Sequence, residues 1–485
     1  MSASFYIIVI YMGVMILIGA TVSRRKVKNS KDFLLAGRSL GPWMMAGTLA
    51  ATEIGGGSTL GVAAKAYGEW GLSAGWYVVC AGIGVFSVSF IAPRLRAAMA
   101  TTVPEILRRR YGRPTHIISS ALSIGALFLA TAAQITACAS VIQVATGLDA
   151  ATTVIMVACV VTAYTMLGGL MAIAFTDIVH ILVITVGMAI ALPVIVHNAG
   201  GWDFIVESLP AQQMSMTNIG WSNIIGLTLL YFMTFSTGQE AVQRYFAAKD
   251  SRTARKGSFM CALLMACYGF IPAMIGLVAL AHFPGIEPNT AMPTAAQAFA
   301  PTLLAGLVMA GVVAATMSSA SGNMIAVGTM VMQDVYLTYV NPNAPDQAKL
   351  RLSKVVIVCL GVCGMAIALG GFSIIGLMIS AFTLRSAGPF AAFVIGLFYR
   401  NATVNGGLWS IVIGSVAGMG WQLAGEPYGV MSIIFGAGLS VLSFFTISII
   451  ERRLGRPAAP PAIAAYQQDN DEQMAVVVSP ESVAK

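Results

Sequence analysis

The stretch AATMSSASGN, residues 314–323, gathers three serines and little bulk inside a long apolar run. Ser318 and Ser319 offer adjacent hydroxyl oxygens. Ser321 follows Ser318 by three positions, on nearly the same helical face. Neutral oxygens at this density suit a hard cation, which takes several oxygen ligands and tolerates uncharged ones. A second stretch, EIGGGSTLG at 53–61, sets a Gly run inside another apolar segment. Backbone broken there would free carbonyl oxygens to complete a shell. The chemistry is reversible ion binding rather than bond breaking. A plainer reading stays open at this point: a small-residue helix contact, each hydroxyl bonded to its own backbone.

Few ionisable residues lie within the apolar segments, and each such group is a functional candidate by default. Glu53 falls in the Gly-rich break, Asp177 in GGLMAIAFTDIVH and Arg385 in SAFTLRSAGP. Glu240 and Arg244 fall near the inner end of their segment, where facing the cytoplasm would explain them. His180 shares a helical face with Asp177. Two groups on one turn do not make a transition-metal site, and the other histidines (116, 197, 282) are scattered. His180 therefore reads as a hydrogen-bonded helix contact or a polar residue beside a cavity. GGGSTLG lacks the Gly-Lys-Ser/Thr ending of a phosphate loop. The spacing around Ser58 also fails the Gly-x-Ser-x-Gly elbow. With no nucleophile or metal cluster, no enzyme is expected.

The elements that must position these residues are membrane helices. The 485 residues are 57% hydrophobic and only 9% charged, against about 25% charged in soluble domains. Thirteen apolar stretches are near the length needed to cross a bilayer. They are 4–22 (span 1), 41–67 (span 2), 72–97 (span 3), 116–146 (span 4), 150–168 (span 5), 170–197 (span 6) and 220–245 (span 7). The rest are 257–282 (span 8), 303–334 (span 9), 353–370 (span 10), 372–398 (span 11), 405–424 (span 12) and 428–450 (span 13). All 27 Lys and Arg except Lys65 and Arg385 fall in alternate gaps or in the tail. That pattern sets the N-terminus outside and the C-terminus inside, in a multi-pass protein of the cell (inner or plasma) membrane. Span 1 has no basic residue before it and Arg24, Arg25 and Lys26 after it, so it reads as a retained helix rather than a signal peptide. The net charge of +8 is spread among these gaps, so no nucleic-acid partner is expected. The seven cysteines lie in apolar stretches and read as small buried hydrophobes. PTAAQAFAPTLL, before span 9, suggests a short outer helix. Residues 455–485 read as a disordered cytoplasmic tail.

Span 2, with its Gly run, and span 7, with MTFSTGQE at 233–240, are both interrupted and lie five spans apart. Broken backbone survives in a bilayer only where it lines a cavity or is buried in protein. Matching interruptions point to two inverted repeats with a solute site at the breaks. The repeats would be 41–200 (spans 2–6) and 201–400 (spans 7–11). Residues 1–40 add a helix and loop, and 401–454 add two helices. Solute or gate candidates are Glu53, Gly55, Gly56, Ser58, Gln239, His180 and Arg385. Arg385 has three open readings: it holds a solute carboxylate, pairs with Glu53 or another acid as a gate, or snorkels outward. In the first, Glu53 would face a solute amine.

Five stretches together carry a family resemblance: SKDFLLAGRSLGPWMMAGTLAATEIGGGS (30–58), YTMLGGLMAIAFTDIVH (164–180), TGQEAVQRYFAAKD (237–250), VVAATMSSASGNMIAVGTMVMQDVY (312–336) and GPFAAFVIGLFYRNATVNGG (388–407). The chain resembles the sodium/solute symporter family, which includes bacterial proline, pantothenate, sialate and sugar permeases. The resemblance implies an all-α fold of the LeuT type, with about thirteen helices and a five-plus-five inverted repeat. It implies sodium-coupled import of a small organic solute by alternating access; if Arg385 holds a carboxylate and Glu53 faces an amine, that solute is an amino acid or a carboxylate. It also implies a sodium site of the Ala51, Ile54 and Ala315 carbonyls with the Ser318 and Ser319 hydroxyls. Asp177 matches an acidic residue close to that site, and with Ser321 it is a candidate for a second sodium or a coupling site. Gly322 stands where members with a second sodium have another Ser. The competing expectations are a proton-coupled carrier on the same fold, with Asp177 or Glu53 as the proton site, and a solute-binding membrane sensor.

Overall fold

The computed structural model describes residues 3–26 and 29–461. Among these residues the only β pairing is one parallel bridge between Leu40 and Ala248; every other regular element is helical. Among the described residues, eight helices are long and apolar enough to cross a membrane. They become nine if Ile374–Ser386 and Pro389–Leu397, bent by 47°, count as one span. Large apolar side chains such as Leu17, Leu182, Val362 and Leu442 are exposed. Apolar surface on this scale belongs against lipid.

Thr302–Met330 runs through the middle. Every residue from Val308 to Met330 is buried. Its Gly, Ala and Ser residues let neighbouring backbones approach closely. Arg113–Thr146 and Ala150–Asn198 pack against it. The latter is interrupted at Gly169, whose φ is 62° and ψ −178°. The Tyr164 hydroxyl and Thr176 Oγ1 lie 2.9 Å apart, although twelve residues of straight helix would span about 18 Å. The chain therefore folds back at Gly169, where spans 5 and 6 were separated from sequence. A Cβ there would sit 2.5 Å from the Phe33 ring, in a backbone region that disfavours side chains.

The two segments expected to break do so. Span 2 is Pro42–Glu53 and Val62–Tyr67, joined through Ile54 and a wide π turn at Gly57–Gly61. Span 7 is Gly220–Thr237 and Gln239–Ala247, with Gly238 extended at ψ 122°. The expected outer helix is Ala291–Phe299. Most of the expected tail, 462–485, lies outside the described residues. All seven cysteines are free, but only Cys80, Cys138 and Cys261 are buried; Cys159, Cys267, Cys359 and Cys363 are exposed. An exterior that faces lipid accepts a thiol as readily as a packed core does, so an apolar stretch alone does not place a cysteine inside.

Candidate functional site

A helix that stops leaves its last four carbonyls without intrahelical donors. Pro42–Glu53 accounts for its own as follows. Ala50 O accepts from Ile54 N at 2.7 Å. Glu53 O accepts from Ser58 Oγ at 2.5 Å. The Ala51 and Thr52 carbonyls turn towards Ser319 Oγ, at 3.1 and 2.9 Å. Ala315 O reaches the same hydroxyl at 3.0 Å. One hydroxyl has one proton, so three carbonyl oxygens converge on a point where a single donor serves them. That surplus of oxygen is what a bare cation relieves. Ala51, Ala315 and Ser319 are thus brought together as the family resemblance implied. Ile54 sits at the break itself, with ψ 63°. The second carbonyl on Ser319 belongs to Thr52, which sequence reasoning missed.

Ser318 lies next along the helix and donates to Asp177 Oδ1. Thr48 Oγ1 donates to the other oxygen, Oδ2, at 2.5 Å. Arg244 Nε reaches both Thr48 O and Thr48 Oγ1 at 3.2 Å, and its Nη1 donates to Glu240 O at 2.5 Å. Asp177 and Arg244 are each 0% exposed. A chain of contacts therefore runs from Ser318 through Asp177 and Thr48 to Arg244 on the broken span 7. Because Ser318 spends its proton on Asp177, its lone pairs face the other way. Ser321 is elsewhere engaged, accepting from Thr165 Oγ1 at 2.8 Å. Thr48 was also missed, though it stands three residues before Ala51 and so on its helical face.

The Gly run is required by proximity. A Cβ on Gly55 would lie 2.4 Å from Ser319 Oγ, and one on Gly56 only 2.3 Å from Ala137 Cβ. Gly56 N donates to Gln134 Oε1 at 2.8 Å, which holds the break against span 4. Gly56→Ala is expected to cost about 1–3 kcal/mol by overpacking. It should lower the melting midpoint and depress uptake, whereas Gly187→Ala, with nothing within 4 Å, should do neither.

The remaining candidates divide. Arg385 forms an ion pair with Glu240, the two side chains being 2% and 5% exposed. This corrects the reading of Glu240 and Arg244 as residues facing the cytoplasm: Gly238 turns Gln239–Ala247 inward, and both are buried. It also removes the snorkelling reading of Arg385. Glu53 Oε1 is buried without a hydrogen-bond partner on the protein. Gln239 accepts from Val103 N at 2.9 Å and donates to Thr101 O at 3.1 Å, pinning the 99–103 turn beneath the break. His180 Nδ1 meets the Tyr11 hydroxyl at 3.0 Å, a contact with the first helix. Among the described residues, no group of three His, Cys, Asp or Glu is placed to hold a metal ion.

A model of the sodium:solute symporter family matches residues 33–414. Over 479 residues the chain is 24% identical to the high-affinity proline transporter of Bacillus subtilis (strain 168), covering 95% of this chain and 99% of that one. Over 447 residues it is 25% identical to the sodium/glucose cotransporter of Vibrio parahaemolyticus, covering 83% and 82%. A substrate-bound, outward-open Na+-coupled sialic acid symporter has the same fold: TM-score 0.81 at 19% identity, over 94% of this chain and 98% of that one.

Proposed function

This chain belongs to the sodium:solute symporter family, and we propose that sodium binds between the Ala51, Thr52, Ile54 and Ala315 carbonyls and the Ser318 and Ser319 hydroxyls. The observation that carries this is the convergence of three carbonyls on Ser319. Sodium there ties span 2 to span 9 and favours the outward-open state. Solute then binds across the breaks in spans 2 and 7, beside Glu53, Gly55, Gly56 and Ser58. Arg385 and Glu240 serve as the gate, and Gln239 holds the inner side shut. We assign Asp177 to coupling rather than to a second sodium, since its oxygens already take Thr48 and Ser318 while Ser321 is bonded to Thr165. Ion occupancy at Ser318 is then felt at Arg244, on the helix that carries the solute site.

The frame for this cycle is a thirteen-span chain with its N-terminus outside and its C-terminus inside. Two inverted repeats, 41–200 and 201–400, rock against each other. Residues 1–40 and 401–454 are additions, and 455–485 form a cytoplasmic tail. One charge crossing 100 mV yields about 2.3 kcal/mol. A tenfold sodium gradient adds about 1.4 kcal/mol. Together these support roughly 500-fold accumulation of a neutral or zwitterionic solute with one sodium. Reconstituted protein tests the coupling ion. Uptake driven by an imposed sodium gradient is expected, and uptake driven by a pH gradient in sodium-free buffer would instead support proton coupling.

A further inference from the structure

The end of span 3 carries two arginines with different surroundings. Arg96 is spent on the protein: its Nε donates to Ala248 O at 2.6 Å and its Nη2 to Lys249 O at 3.2 Å. Arg94, two positions earlier, is exposed, and its guanidinium lies over the Phe398 ring, 4.3 Å from the centroid. Arg255, also exposed, lies over the Phe90 ring at 5.4 Å. Ser251 Oγ donates to Pro93 O at 3.2 Å, which seats the first turn of Ser251–Tyr268 beside Arg94; Arg255 follows one turn later. Among the described residues, neither Arg94 nor Arg255 forms an ion pair with a carboxylate. Asp250, the acid nearest in sequence to Arg255, instead caps the helix, accepting from Thr253 N at 2.7 Å.

The rings under both guanidiniums are themselves exposed, Phe90 by 56% and Phe398 by 48%. Phe86 and Phe259, exposed as well, extend the patch: Phe86 meets Phe90 at 5.5 Å and Phe259 at 6.0 Å between centroids. Aromatic surface of this extent belongs against lipid chains. An arginine laid on a ring face keeps its full charge and its planar fork of donors, which suits a phosphate. Two such arginines at the rim of an apolar patch match one ligand in both its parts. A phospholipid brings phosphate oxygens for the guanidiniums and hydrocarbon for the rings. A free phosphate would leave the rings unused. A zwitterionic lipid would bring a cation of its own beside Arg94 and Arg255, so charge complementarity selects an anionic headgroup.

We propose that Arg94 and Arg255 hold the phosphate of an anionic phospholipid whose chains lie on Phe86, Phe90 and Phe259, tying span 3 to span 8. The orientation proposed above decides only which leaflet supplies the lipid, and the symport reading does not enter. The test is the melting temperature of the purified full chain in detergent, with added phosphatidylglycerol, phosphatidylcholine or sn-glycerol 3-phosphate. Phosphatidylglycerol should stabilise at lower concentration than phosphatidylcholine, and glycerol phosphate should not stabilise at all. Arg94→Gln/Arg255→Gln should need about 30-fold more phosphatidylglycerol for the same shift, at about fivefold per basic residue. Phe90→Leu should fall between that variant and wild type. Arg351→Gln/Lys354→Gln removes the same charge from two exposed positions at the start of span 10 and should stay within about twofold. Melting without lipid checks that each variant folds. Equal stabilisation by the two lipids overturns the proposal, as does equal stabilisation by glycerol phosphate. So does a response to phosphatidylglycerol unchanged in Arg94→Gln/Arg255→Gln. A loss just as large in Arg351→Gln/Lys354→Gln overturns it too, because diffuse surface charge would then account for the binding.

Discussion

Replacing Arg385 by Met, or Glu240 by Met, is expected to cost about 3–5 kcal/mol of stability, because each change strands one buried charge. The double variant Arg385→Met/Glu240→Met should recover most of that loss, since it removes both charges together and a buried pair is worth little against apolar groups of similar volume. Transport should not recover with it. Glu240 Oε2 and Arg385 Nε both lack hydrogen-bond partners in the structure, so the pair retains capacity to bond a further group as the gate closes. Melting midpoints of the four proteins form the double-mutant cycle. Losses that simply add would mean that the two side chains do not act as a pair.

Asp177→Asn should raise the sodium concentration needed for half-maximal uptake about 10- to 100-fold, the scale of a lost charge-assisted hydrogen bond. The carboxylate accepts from Ser318 and Thr48 at once. An amide has one accepting oxygen, so one hydroxyl loses its partner and Ser318 no longer holds its lone pairs towards the ion. At saturating sodium, solute affinity should return most of the way. Ser321→Ala gives the contrast. It removes only the bond from Thr165, and it should leave sodium activation within about twofold, roughly the tenths of a kcal/mol of a minor change. A large loss in Ser321→Ala would favour a second sodium at Asp177.

Much of this was legible in the residues. The Gly run in span 2 and the hydroxyl run in span 9 announce themselves by composition, because broken backbone and clustered oxygens are rare in apolar segments. Ser319, Ala51 and Ala315 meet as expected. What escaped depends on long-range geometry. Glu240 and Arg244 look like cytoplasmic residues because they precede a basic gap. Only the turn at Gly238 carries them under the bundle, to Arg385 and Thr48. Thr165 and Gln134 are ordinary polar residues on long helices, and their partners, Ser321 and Gly56 N, lie 156 and 78 positions away. The carbonyl of Thr52 was missed for a different reason. Which oxygens a break releases depends on where the helix stops, and Pro42–Glu53 ends just before Ile54.

The most direct measurement of the central claim is sodium binding to purified protein, read as the shift in melting temperature with added sodium or potassium. Wild type should be stabilised by sodium and not by potassium, by about 2.7 kcal/mol at a hundred times the dissociation constant. Ser318→Ala/Ser319→Ala should need at least about tenfold more sodium for the same shift, since two oxygen ligands and their ordering contacts are gone. Sodium stabilisation that is identical in the double variant and the wild type would contradict the account.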